Sequence, residues 1–147
     1  MGIEANRAVV DRYFAAWADP DVERAIASLD SVVHPDIVDH AAYEGQTAGI
    51  EGVREFWRKW RTAFPDFTVE VHDSIAEGDR VVTRWSMEGT HLGDYDGYAP
   101  TGQRIGHSAI SINRVVDGLI TDEWIELDLY GLIHQLEAAR NQSQGAI

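Results

Sequence analysis

Phe67-Thr68-Val69-Glu70-Val71-His72-Asp73-Ser74-Ile75 decides the fold, because the hydrophobic period changes here. Upstream, apolar residues recur every three or four positions. Within this stretch Phe67, Val69, Val71 and Ile75 alternate with Thr68, Glu70, His72 and Ser74. A period of two predicts a strand with one buried face. Glu77-Gly78-Asp79 reads as a hairpin connection, and Val81, Thr83, Trp85 and Met87 then alternate with Arg84, Ser86 and Glu88 in a second strand. A Gly- and Pro-containing loop from Gly89 to Gly102 leads to a third strand, Ile105 to Val115. Asp117-Gly118 turns the chain into a fourth, Leu119 to Asp128, and a short helix over Leu129 to Ala139 follows. Residues 1–140 read as one domain and residues 141–147 as a disordered tail.

Before Phe67 the pattern is helical. Val9, Val10, Tyr13, Phe14 and Trp17 share one helix face. Asp19-Pro20 predicts an N-cap followed by a proline at the first helical position, and Val22, Ala25, Ile26, Leu29 and Val33 extend a second stripe to about His34-Pro35. After a polar stretch from Asp39 to Gly49, Ile50, Val53, Phe56, Trp57, Trp60 and Phe64 mark a third helix, stopped by Pro65. Helices first and hairpin-linked strands afterwards predict an α+β domain, in which a curved antiparallel sheet packs on three N-terminal helices. A conical cavity between the layers would suit a small molecule.

Composition narrows the partners. Twenty-five Asp and Glu against twelve Lys and Arg give a net charge of −13, which repels nucleic acid and anionic lipid surfaces. With no cysteine there is no disulfide framework and no thiolate ligand or nucleophile, which suits a cytoplasmic location. No apolar run approaches the roughly 18 residues of a membrane span, and the first thirty residues do not read as a signal peptide.

One ordered set of short motifs goes further. Gly89-Thr90-His91-x-Gly93, Gly97, Pro100-Thr101-Gly102, Arg114, Asp117-Gly118 and Trp124-x-x-x-Asp128 resemble the pattern of the SnoaL-like polyketide cyclases, within the nuclear-transport-factor-2-like superfamily. Asp39-His40, Gly49-x-x-Gly52, Phe64-Pro65-Asp66, Glu77-Gly78-Asp79 and Gln135-Leu136 extend the resemblance over roughly residues 6 to 137. It implies a cone-shaped α+β barrel, a homodimer, no cofactor, and acid–base aldol closure or isomerisation of a polyketide-like carbonyl compound. Such chemistry needs a base beside an enolisable carbon and hydrogen-bond donors for the enolate, in a pocket that folds the substrate.

Asp128 matches the Asp of the family's Trp-x-x-x-Asp motif and is the first candidate for the base; the alternative is that it caps the following helix. His107 is a candidate to relay the proton or donate to an oxyanion, against the alternative of a half-exposed strand histidine. Trp124 and Glu126 alternate with Asp128 on one strand face. Asn113 and Ser111 share the alternation of His107, either toward a pocket or toward solvent. His40 is a candidate for the pocket mouth, Trp57 and Trp85 for its walls, and His91 for ordering the Gly-rich loop or touching substrate. His34, Asp36, Asp39 and His40 lack the one-face spacing of a metal motif, so no metal is expected. Two other functions remain open on the residues: epoxide-hydrolase-like water addition, using carboxylates among Asp122, Glu126 and Asp128, and non-catalytic binding of a hydrophobic molecule.

Overall fold

The structure, a computed structural model, describes residues 2–145. Helix α1 (Ile3–Ala18) buries Val9, Val10, Tyr13, Phe14 and Trp17 on the face that its spacing predicts. Helix α2 (Val22–Ser28) is shorter than its apolar stripe suggested. Asp21, not Asp19, is its N-cap, accepting from the Arg24 amide at 3.0 Å, while Asp19 binds the Asp21 amide and the Arg24 guanidinium. A single 3-10 turn (Leu29–Ser31) then feeds a strand that the helical reading overlooked, β1 (Val33–Asp39). Val32, Val33, Ile37 and Val38 are β-branched and favour extended backbone. Pro35, which has no amide to donate, is tolerated because β1 is an edge strand whose pairing is irregular between Val33 and Val38.

Helix α3 (Ile50–Ala63) is followed by β2 (Thr68–Glu77), β3 (Arg80–Thr90), β4 (Arg104–Val116) and β5 (Leu119–Leu127). The strands form one curved, unclosed sheet in the order β1-β5-β4-β3-β2. Consecutive strands β2 to β5 are antiparallel; β1 runs parallel to β5, with Asp39 beside Glu123, so the sheet is mixed. The expected α+β class thus stands, with a fifth strand and an open edge where a closed barrel would have none. The β4–β5 turn is Asp117-Gly118, both with positive φ (50° and 80°), the backbone that a tight two-residue hairpin requires.

The buried rows of β3 (Val81, Thr83, Trp85, Met87, Gly89) and β4 (Ile105, His107, Ala109, Ser111, Asn113, Val115) face α1 and α3. Helix α4 (Leu129–Gly145) runs well past Ala139. The expected tail is therefore helical through residue 145, since Ala138, Ala139, Arg140, Gln142 and Gln144 are helix formers and no Gly or Pro interrupts them. Residues 146 and 147 lie outside the described residues. None of the described helices is long and apolar enough to cross a membrane.

Candidate functional site

A cavity of about 280 Å³ opens between the helices and the inner face of the sheet, at the lower edge of the size range of small-molecule sites. Its walls are aromatic: Tyr13, Phe14 and Trp17 from α1, Phe56, Trp57 and Trp60 from α3, and Trp85 from β3. These positions follow from sequence spacing. Residues at three- and four-residue intervals project from one face of each helix, and the opposing strand supplies every second side chain. Ala41, Leu127 and Leu129 line the cavity while exposed to solvent, which places its mouth beside the start of α4.

Few polar groups reach this apolar space. His107 is buried, with the rings of Trp60 and Trp85 set edge-on at 5.6 and 5.5 Å. Its Nδ1 lies 3.2 Å from the Ser108 carbonyl oxygen, which can only accept, so Nδ1 carries the proton and Nε2 keeps a free lone pair. Burial holds its pKa below the usual histidine value, opposed by the Ser108 carbonyl and the nearby Asp128 carboxylate. The ring is therefore neutral at pH 7. Ser111 accepts a hydrogen bond from Trp85 Nε1 at 2.8 Å, so its hydroxyl fixes a wall.

Further in, Glu123 lines the cavity from β5. It is fully enclosed: Asn113 Nδ2 donates to its Oε2 at 2.8 Å and the Tyr13 hydroxyl lies against it. Burial raises its pKa to about 7, with Asp39 adding to the rise and Asn113 and Tyr13 opposing it. Asp39, at the end of β1, also lines the cavity; its two carboxylate oxygens accept from the Ala41 amide and from Gln46 Nε2, each at 2.9 Å.

His107, Trp57 and Trp85 line the cavity; Asn113 does not, being wholly buried behind Glu123, to which it donates. His91 does not line it. The ring is wholly buried in the loop after β3, with Nδ1 3.1 Å from Thr101 Oγ1 and Phe64 beside it, and so orders that loop. The expected face of β5 is reversed. Glu123, Ile125 and Leu127 line the cavity, so Trp124 and Glu126 project to the outer face of the sheet, where Glu126 is exposed and Trp124 stacks on His40 at 4.3 Å. His40 is in turn held by Asp122 at 3.1 Å, outside the cavity that its neighbour Ala41 lines.

Asp128 is exposed and absent from the cavity wall. Its Oδ1 accepts from the Gly131 amide at 2.9 Å, which makes it the N-cap of α4 and leaves it near His107 as a negative charge. Asp122, Glu126 and Asp128 therefore do not converge on one water. Among the described residues no group of three or more His, Asp or Glu side chains could hold a metal ion.

Comparison with known proteins agrees with this architecture. The family model of the SnoaL-like polyketide cyclases matches residues 7–136. Among solved structures, TsrD of Streptomyces laurentii superposes with a TM-score of 0.81 at 29% identity, covering 94% of this chain and 98% of its own. AclR of Streptomyces galilaeus, a proposed hydroxylase, gives 0.76 at 29% identity over 92% of this chain and 87% of its own. IdmH of Streptomyces antibioticus, a proposed polyketide cyclase, gives 0.75 at 28% identity over 90% and 98%. No curated protein matches the sequence.

Proposed function

We propose a function for this chain from one premise: it belongs to the SnoaL-like polyketide cyclase family. Within that family it acts as an acid–base enzyme that closes a ring by an aldol reaction on a hydrophobic, polyketide-like carbonyl compound, without a cofactor. The observation that carries this reading is the free Nε2 of a neutral His107 at the wall of an aromatic cavity. His107 removes a proton from the carbon beside a carbonyl, and the enolate, held against a second carbonyl by the aromatic walls, forms the new carbon–carbon bond. The imidazolium then returns the proton to the new alkoxide.

Asp128 supports this step from behind. Its charge favours the imidazolium as it forms, while its bond to Gly131 keeps the carboxylate in place. The negative charge of the chain and two carboxylates in the cavity favour a neutral over an anionic substrate. The same reading includes a homodimer formed through the outer face of the sheet, and residence in the cytoplasm.

Turnover of a panel of enolisable β-keto esters by the wild type, His107→Gln and Asp128→Asn tests the proposal, with melting temperatures measured in parallel. His107→Gln is expected to lose about a hundredfold or more in kcat/KM while remaining folded. Unchanged turnover in that variant would overturn the role of His107. Tight binding of these compounds with no turnover by the wild type would favour the non-catalytic binding domain.

A further inference from the structure

Two loops contribute to the cavity wall: Ala41, Tyr43 and Gln46 from the segment after β1, and Tyr95 from the segment after β3. One side chain that ring closure does not use joins them. Lys59, the only lysine in the chain, follows the cavity residues Phe56 and Trp57 on α3 but does not itself line the cavity. Its ammonium lies 2.9 Å from an Asp96 carboxylate oxygen and 4.5 Å from the centre of the Tyr43 ring. The two loops differ in how they are held. Around Asp96 the backbone closes as a two-residue turn between Tyr95 and Tyr98, with positive φ at Asp96 and Gly97. The Leu92 and Gly93 amides donate to the Ala63 carbonyl, the Tyr98 hydroxyl donates to Glu137 of α4, and Tyr95 packs against Trp60 and Phe64. That loop is a fixed post. The bonds that tie the loop after β1 to the rest of the fold lie at its ends, where Asp39 accepts from Ala41 and Gln46 and Thr47 donates to Glu55 of α3. Between those ends Tyr43 is partly exposed, its amide bonds to Gln46 of the same loop, and its ring centre stands 6.5 Å from that of Phe56.

We propose that Lys59 is a positioning residue that gates the cavity for flat, uncharged ligands: Asp96 fixes the ammonium, the ammonium holds the Tyr43 ring, and Tyr43 is the door. This rests on the reading of the cavity as the ligand site and adds how that site is entered. The contacts suit the task. A cation over an aromatic face and an ion pair between half-exposed groups are each weak, so the tie breaks and re-forms easily. Helix α3 stays in place when it breaks, because Trp57 and Trp60 on its other face are buried. Asp96 is anchored and Tyr43 is not, so release of the ammonium frees the tyrosine alone. The door is selective as well as mobile. Asp96 neutralises Lys59, so the gate offers no attraction to an anion, and a chain with a net charge of −13 repels one. A flat, neutral molecule instead meets the rings of Tyr43 and Phe56 as it passes.

The test is stopped-flow binding of 2-naphthol, a flat molecule uncharged at neutral pH, to the full-length protein. Quenching of tryptophan fluorescence reports it, since Trp17, Trp57, Trp60 and Trp85 line the cavity. Lys59→Met is expected to raise the association and dissociation rates together by about fivefold, with Kd within about twofold of the wild type. Lys59→Arg, which keeps a cation between the same two partners, is expected to retain the wild-type rates. Tyr43→Leu is expected to show the same acceleration as Lys59→Met, and combining the two to add nothing further, because both act on one contact. A lysine that served only stability would lower the melting temperature of Lys59→Met and leave the association rate unchanged, and that result overturns the gate. So does full additivity of Lys59→Met and Tyr43→Leu. Either outcome leaves ring closure at His107 standing. Absence of quenching in the wild type at millimolar 2-naphthol would overturn the gate together with the cavity as a ligand site.

Discussion

Two residues in one cavity are shifted by burial toward their uncharged forms, His107 downward and Glu123 upward to about 7. For His107 the Asp128 carboxylate opposes the shift, so Asp128→Asn lowers the histidine pKa further. The ascending limb of kcat/KM against pH is expected to move to lower pH in that variant, with a smaller plateau; a limb that stays in place would remove Asp128 from the electrostatics of the site. For Glu123 the sign runs the other way. Its pKa of about 7 in the fold lies above its ordinary 4.5, so the folded state holds the proton more tightly than the unfolded chain. Stability is complete below the ordinary value and falls as pH rises through 7, by on the order of 3 kcal/mol once the carboxyl ionises. Glu123→Gln removes that penalty: its melting temperature is expected to exceed that of the wild type at pH 8 and to match it near pH 4. Equal melting at both pH values would mean that Glu123 is not enclosed as described. Glu123 was not legible in the sequence because the Trp124-x-x-x-Asp128 motif points to the other face of β5. The available signal was a single acid on the same face as Ile125 and Leu127, paired through β4 with the row His107, Ala109, Ser111 and Asn113.

At the level of elements, the motif residues explain themselves once the contacts are known. Gly93 touches the end of α3: a Cβ there would stand 2.1 Å from the Thr62 carbonyl oxygen, so only glycine lets the loop after β3 pack on that helix. Gln135 of α4 pairs with both backbone groups of Gly106, accepting from its amide at 2.9 Å and donating to its carbonyl at 2.7 Å, one residue before His107. This amide pair fixes the start of β4 to α4 and thereby sets where His107 stands. Gln135→Leu is expected to lower stability by roughly 1–3 kcal/mol, read from the urea midpoint, because two backbone groups lose their partners. It is also expected to depress kcat more than KM. An unaltered midpoint would show that the pair forms no constraint. Helices α1 and α3 and strands β3 and β4 were readable from period alone, since each has one buried face; β2 and β5 were readable as strands but not by face, because β2 is an edge strand whose register shifts between Val71 and Asp73, which leaves the expected core residues Val71 and Ile75 exposed. Strand β1 was not: it is short, irregular and interrupted by Pro35, and its apolar residues also fit a helical stripe. The extension of α4 was missed because polar helix formers carry no amphipathic signal where the helix leaves the core.

For the molecule as a whole, the outer face of the sheet bears on the proposed homodimer. Ile75 pairs with Val82, Val82 with Ile112 and Ile112 with Trp124, so one apolar row crosses four strands, and Ile110 stands exposed beside it. Arginines and acids flank the row in ion pairs: Arg84 with Asp73, Arg114 with Asp79, Arg104 with Glu88. A surface that is apolar at its centre and carries both charge signs at its rim can meet a second copy of itself about a two-fold axis without juxtaposing like charges. That matters for a chain with a net charge of −13, whose other surfaces repel one another. Light scattering at micromolar concentration is expected to give twice the chain mass of 16.4 kDa. Ile110→Glu, a change at a site 48% exposed in the single chain, is expected to yield a folded monomer. Added salt separates the two contributions: if the apolar row dominates, the dimer survives 1 M NaCl, whereas dissociation there would place the binding energy in the rim. A wild type that remains monomeric at all concentrations would show that the row is ordinary solvent-facing surface, and the cavity on the opposite face would then work in a single chain.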